Sequence, residues 1–440
     1  MSEKSALDEI RSAVRDIVGA ARDCDSRQTN TPAAFAVAVA GLEGLTYAVG
    51  RFVPEFLRSF GAGPTVIGLY GTLGIALALL FRSRGRPSVV VGLRRSLAFV
   101  VVGVGLWSVV PLVASRSAIP GWVLVFVGLG LISVRYALPA TLGGAVGIAT
   151  TGSRLDDGNV DRTVWTFGAL VVTTAVMTAA AVRPGVQILS LLAATVGVAA
   201  LALAASGEIG SFGRAGETDN GQPDGRSSSP PIQLSLVPLQ TTTGRRRAVL
   251  VGDLLRRLSL ALVVVFVVVT VVSFHAPAVT VFGSTLSPDA VFGVLLCLEL
   301  LGETLGRRVA GWATRTVGRE RVAAVSVALT ALFPVLLVTA PASLPGLSLL
   351  FLGFGFRRVG TEARRALVDA AVGTRSATAA AEYRAARDLV VVPAPVVGGV
   401  LFWYSPVLAF SIATAVGGLA LREYLRLLVG RTPTWAEDDG

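Results

Sequence analysis

Apolar residues in this chain come in long blocks separated by short polar or Pro- and Gly-containing breaks. The blocks fall at about 33–57, 64–82, 96–114, 120–148, 163–182 and 186–205, then at 258–276, 289–309, 322–340, 345–371, 386–403 and 405–428. Each is close to the ~17–25 residues a helix needs to cross the hydrocarbon core. Between the two sets, from Ser206 to Arg257, the composition shifts to Gly, Ser, Pro, Asp and Thr, with Arg245, Arg246 and Arg247 near its end, and this reads as a flexible linker. Ahead of the first block, Leu7, Ile10, Val14, Ile17 and Ala21 recur at helical spacing and predict a short amphipathic helix. The expected organisation is a polar segment over 1–32, six spans over 33–205, a linker over 206–257, six spans over 258–428 and a polar tail over 429–440.

The two sets repeat each other. A turn is expected from Arg307 to Arg321, and shifting it back by 226 residues brings Arg308, Gly311, Gly318 and Arg321 onto Arg82, Gly85, Gly92 and Arg95. Pro288 answers Pro64 and Pro345 answers Pro120, while Phe351, Gly353 and Gly355 answer Phe126, Gly128 and Gly130. Two parallel copies of one membrane unit point to a protein whose halves rock about a central cavity. The fold class expected is therefore an all-α polytopic membrane protein with twelve transmembrane helices in two parallel six-helix bundles.

Composition agrees, with 53% hydrophobic residues and a mean hydropathy of +0.69. The formal charge of +11 raises nucleic-acid binding as an explanation, but the positions of the basic residues make it unnecessary. Of 39 basic residues, all but Lys4 are arginine. With both termini inside, only Arg58, Arg116 and Arg183 fall in outer loops and only Arg51 and Arg135 within spans. The rest lie in inner segments or at the inner ends of helices, so the positive-inside rule sets the orientation. A single lysine excludes a phosphate-cradling Gly-Lys loop, and the single histidine, His275, excludes a paired-histidine metal motif. Cys24 and Cys297 give no disulfide framework, and no cofactor is implied.

Charges at membrane depth are costly, at about 2.5–3.5 kcal/mol each on insertion scales, and persist where they face a cavity or a partner. The first span carries Glu43, Tyr47, Arg51 and Glu55 on one four-residue ladder, and the eighth carries Glu299, Glu303 and Arg307 on another. Glu303 and Arg307 can pair as helical neighbours. Glu43 and Arg51 are separated by about 12 Å of helix, so one solute could meet both. The carboxylates Glu43 and Glu299 are candidates for proton uptake and release; each could equally be half of a static interhelical pair. Arg51 and Arg135 suit an anionic substrate group, or else hold those carboxylates ionised. Arg357, Arg358, Glu362, Arg364, Arg365 and Asp369 crowd the inner half of the tenth span. His275 is expected to pack at the outer interface.

With these features in place the chain resembles the major facilitator superfamily. The most specific stretches are Arg364 to Asp369, Tyr383 to Asp388 and Pro395 to Gly399, which look like that family's tenth-to-eleventh helix passage. The Asp-Arg pair usual between the family's turn glycines is replaced by Val89-Val90 and Arg315-Thr316. The resemblance implies a cytoplasmic gate, for which Arg82, Gly85, Gly92, Arg308, Gly311, Gly318, Arg321, Asp369, Arg384 and Asp388 are the candidates. It further implies a monomer in the cell membrane with both termini cytoplasmic, moving a small-molecule solute with a coupling ion or proton, with uptake and export both open. Alternatives are a transporter-like receptor or scaffold and a polytopic membrane enzyme. The sequence offers the enzyme neither a clustered acidic metal site nor a nucleophile-base pair.

Overall fold

In the computed structural model of this chain, residues 31–83, 89–116, 118–134, 158–205, 244–277, 279–281, 284–373 and 377–429 are described. The apolar blocks become helices: α1 Thr31–Ser59, α2 Pro64–Ser83, α3 Val89–Arg116, α4 Gly121–Ser133, α5 Gly158–Ala179 and α6 Val182–Ala205. After them come α7 Gly244–Val263, α8 Pro288–Thr316, α9 Arg319–Thr339, α10 Leu344–Phe356, α11 Thr361–Val372, α12 Ala377–Val391, α13 Ala394–Tyr404 and α14 Pro406–Val429. Among the described residues, seven helical stretches are long and apolar enough to cross a membrane.

Several expected boundaries move. Residues 244–257, expected as linker, are helical and open α7. The turn expected from Arg307 to Arg321 shrinks to Val317 and Gly318, because α8 runs on to Thr316 and α9 starts at Arg319. Gly318 makes this reversal possible with φ +94° and ψ 149°, a conformation that side chains disfavour. Gly92 likewise lies inside α3 and not in a turn. Beyond Val263 the helix passes through a 3-10 turn, Val264–Phe266, and a π turn, Thr270–His275. There His275 Nε2 lies 2.6 Å from the Leu337 carbonyl of α9. A short antiparallel hairpin, β1 Val279–Val281 and β2 Ser284–Leu286, follows. It leads into α8, whose first turn is capped by Ser287 Oγ accepting from Ala290 N–H at 3.2 Å.

Within the first set, α6 packs on α1 and α3, and α3 packs on α4. Within the second, α14 packs on α7 and α9, and α8 packs on α10. The two sets meet mainly through α2 against α13 and α5 against α8. Small residues permit these approaches. A Cβ on Gly68 of α2 would lie 2.4 Å from the Pro395 carbonyl of α13, and one on Gly399 would lie 2.6 Å from the Pro64 carbonyl. The break at Val392-Pro393 restarts the helix as α13 and frees its first N–H groups. One of them, Val396 N–H, donates to Thr72 Oγ1 of α2 at 3.2 Å. On the other seam a Cβ on Gly293 would meet Thr174 Oγ1 at 2.6 Å, and Ser287 Oγ donates to the Met177 carbonyl at 3.0 Å.

These contacts all lie at the end of the molecule that carries the α1–α2 turn. An aromatic chain runs across the same level. Phe52 of α1 meets Phe292 of α8 edge-on at 5.2 Å, Phe292 meets Phe351 of α10, and Phe333 of α9 meets Phe351 and stacks on Phe354 at 3.7 Å. The end carrying Gly318 holds the cavities and most of the ion pairs described next.

Candidate functional site

The site begins with a close backbone approach. A Cβ on Gly355 of α10 would lie 1.9 Å from the Glu299 carbonyl of α8, and one on Gly302 would lie 2.1 Å from the Leu352 carbonyl. Only glycines permit this, and the approach sets Glu299 beside the residues that follow Gly355. Immediately afterwards the backbone tightens into a 3-10 turn, Arg357–Gly360. Gly360 lets this turn press on α9, where a Cβ would lie 2.6 Å from the Val322 carbonyl. Ser326 Oγ holds the turn by donating to the Arg357 carbonyl at 2.6 Å.

The result is a ladder of shared carboxylates. Glu299, 4% exposed, accepts from Arg51 Nη2 of α1 at 2.8 Å and lies 3.4 Å from Arg357. This ion pair joins the first set of helices to the second, and Arg357 is also set over the Phe354 ring at 3.4 Å. One turn further along α8, Glu303 pairs with Arg307 on its own helix, at the expected four-residue spacing, and lies 3.3 Å from Arg358. A third carboxylate, Asp253 of α7, is 2% exposed and accepts from Arg387 at 2.7 Å, with Arg364 at 3.4 Å and Arg256 at 3.5 Å. Asp388 takes Arg387 at 2.8 Å and has Arg257 at 3.9 Å. Each of these carboxylates therefore serves at least two guanidiniums, a network whose members are costly to remove singly.

Two cavities adjoin this ladder. One, of about 640 Å³, is lined from both sets of helices: Glu43 and Tyr47 of α1 and Thr166 of α5 face Leu300, Glu303 and Arg307 of α8. The other, of about 470 Å³, lies among α7, α9, α11, α12 and the 3-10 turn. Arg358, Thr361 and Arg365 line both.

The sequence-derived candidates divide accordingly. Glu43 and Glu303 line the first cavity, whereas Arg51 and Glu299 are not in its lining and pair with each other. Of the gate candidates, Asp369 and Arg384 form a half-exposed pair at 2.6 Å between α11 and α12, and Asp388 sits in the buried network. Arg308 and Arg321 are exposed. Gly311 lies inside α8, and a Cβ placed on it would meet nothing within 4 Å among the described residues, so it neither brings helices together nor turns the chain. Arg82 and Gly92 lie in α2 and α3; Gly85 and Arg135 lie outside the described residues.

Sequence reasoning misses Asp253, Arg256 and Arg257, because composition alone places them in the linker. Yet Asp253, Arg256, Arg257 and Leu260 follow an i, i+3, i+4, i+7 helical spacing that could reveal them.

No known family's sequence profile matches the chain, and no curated protein does either. Solved structures do match. The nucleoside transporter NupG superposes with a TM-score of 0.63 at 14% identity, covering 91% of this chain and 99% of that one. The peptide transporter POT, in complex with sulfate, superposes with a TM-score of 0.60 at 15% identity, covering 90% of this chain and 93% of that one. A POT family transporter in complex with 5-aminolevulinic acid gives 0.57 at 12% identity, covering 90% and 95%. At these identities the likeness establishes the fold: a multi-pass helical membrane protein with the architecture of these transporters.

Proposed function

We propose that the chain is a secondary transporter that carries a small solute across the cell membrane by alternating access between two six-helix bundles. The observation that carries this reading is the cavity shared by Glu43, Tyr47 and Thr166 from one set of helices and Glu303 and Arg307 from the other. It lies on one side of a seam sealed by Gly68, Pro395, Gly293 and Thr174. A cavity at a bundle interface, open on one side of a tight closure, is what a rocking pair of bundles needs. The twelve spans expected from the sequence divide between the bundles, with the second bundle starting at Gly244. The positive-inside rule makes the Gly318 end cytoplasmic along with both termini, so the sealed end is external and the conformation faces inward. A monomer suffices, since both halves of the cavity come from one chain.

Proton coupling is assigned to Glu43. It is the carboxylate of α1 that lines the inter-bundle cavity, beside Tyr47 and facing Glu303 and Arg307 of the other set. The test is counterflow in proteoliposomes against a panel of sugars, organic anions, amino acids, nucleosides and cationic drugs. Exchange of at least one solute is expected, and none across the panel would remove the transport reading in favour of a receptor or scaffold. In Glu43→Gln, proton-driven accumulation should disappear while solute-for-solute exchange survives. If both fall in proportion to the folded protein, Glu43 is structural.

A further inference from the structure

The smaller cavity has a charge balance that the protein alone does not complete. Eight arginines line it, against Asp253 as its one lining carboxylate. Acids just outside the lining take up part of this charge. Glu362 answers Arg365 and Asp369 answers Arg384, but Glu299 and Glu303 are shared with Arg51 and Arg307, and Asp388 is shared by Arg257 and Arg387. Asp253 has to answer Arg256, Arg364 and Arg387 together. Cations gathered this deep with fewer anions are costly unless a further anion joins them.

Side chains in its wall carry unanswered donors. The Nε groups of Arg256, Arg257 and Arg358 are buried and have no hydrogen-bond acceptor among the described residues. Asp388 lies 3.9 Å from Arg257 Nε, out of reach, and Glu303 lies 3.3 Å from Arg358 Nε but out of line with its N–H. The three donors belong to side chains from two walls of the same cavity, α7 and the 3-10 turn. Three unanswered donors, on three side chains, stand in a lining with more cations than anions. They suit a tetrahedral dianion, which presents three oxygens and which the guanidinium fork recognises. The volume of about 470 Å³ is in the range of small-molecule sites, ~300–1,000 Å³. Leu260 and Val368 add apolar lining, and Arg358, Thr361 and Arg365 continue into the inter-bundle cavity.

We infer that this cavity binds an organic phosphate monoester, with Arg256, Arg257 and Arg358 holding the phosphoryl oxygens and the organic portion extending past Thr361 toward Glu43. As a statement of substrate class this rests on the transporter reading; as a statement of binding it does not. Detergent-purified protein titrated with glycerol 3-phosphate at constant ionic strength should show a saturable rise in melting temperature, which glycerol with matched KCl does not produce. Arg257→Gln and Arg358→Gln should each weaken the response at least about tenfold. Arg426→Gln, in an exposed pair on α14, should leave it unchanged. If either Gln variant fails to fold, the Lys variant at the same position, Arg257→Lys or Arg358→Lys, replaces it and should show a weakened, measurable response. Equal stabilisation by KCl and the ester would overturn the inference. So would a response to phosphatidic acid in the micelle with none to the soluble ester, which would make the site a lipid headgroup site. Counterflow of an uncharged or cationic solute with no ester binding would overturn the substrate class and leave transport standing. Ester binding with no counterflow of any solute would retain the site and remove the transporter.

Discussion

The two ends of the molecule are held together by different physics. At the α1–α2 end, helices of the two sets touch backbone to backbone, with Gly68 and Gly399 set against the Pro395 and Pro64 carbonyls. At the Gly318 end, helices are joined by guanidiniums sharing carboxylates, as in Arg51–Glu299, Arg358–Glu303 and Arg387–Asp253. A glycine seam depends on short-range packing, which is lost within an ångström of separation. It acts as a two-position closure. An ion-pair network bordering a cavity can exchange partners with water or with a bound anion, so it can loosen by steps. The two ends therefore answer to different perturbations, the first to added volume and the second to changes of charge.

The comparison breaks most directly at the seam. Gly68→Val puts atoms where the Pro395 carbonyl lies and should cost the closed state about 1–3 kcal/mol or more, a shift of roughly five- to over a hundredfold in its population. In a background with Cys24 and Cys297 replaced by alanine, a cysteine at Thr174 should react much faster with a water-soluble maleimide when Gly68→Val is added. An unchanged rate would mean that the glycine seam does not hold that end shut.

A step down is the Arg51–Glu299 ion pair, which links the two sets of helices. Arg51→Met leaves Glu299 with Arg357, so the loss should be that of one charge-assisted bond, about 1.5–3 kcal/mol. A double-mutant cycle with Glu299→Gln, followed by thermal melting, should return a coupling energy of that order. Coupling near zero would assign the pair to geometry without energy.

The two turn-region glycines of α8 and α9 sharpen the contrast further. Gly318→Val forces a side chain into φ +94° and should destabilise the protein by about 1–3 kcal/mol with expression reduced in step. Gly311→Ala should do least of all. It sits in an open stretch of helix, where alanine gains up to about 1 kcal/mol of helix propensity. A clear loss of transport by well-folded Gly311→Ala would restore the gate role that the resemblance implies for it.

Much of the molecule is legible as a string. Span positions follow from the length of apolar blocks, and the Glu303–Arg307 pair follows from helical spacing, because both depend only on neighbours along the chain. The same local logic fails at the ends of helices. Charged positions such as Arg307, Arg308 and Arg315 read as a turn, although helix α8 carries them past the apolar block. Asp253 reads as linker for the same reason. A polar residue does not end a helix when cavity water or another helix receives its side chain.

The sequence by itself determined that this is a helical membrane protein with several apolar spans, and that a few carboxylates and arginines fall within or beside them. Only the tertiary structure decided which of them meet. Arg51 finds Glu299 across 248 residues of chain, and Asp253 gathers Arg256, Arg364 and Arg387 from three elements. The depth at which α8 presses on α10 is set by Gly302 and Gly355, whereas Gly311, one helix turn and a little more beyond Gly306, touches nothing within 4 Å among the described residues. Spacing along a helix fixes which residues share a face. The rotation and approach of two helices, which choose the partner for that face, come from packing between segments far apart in the chain.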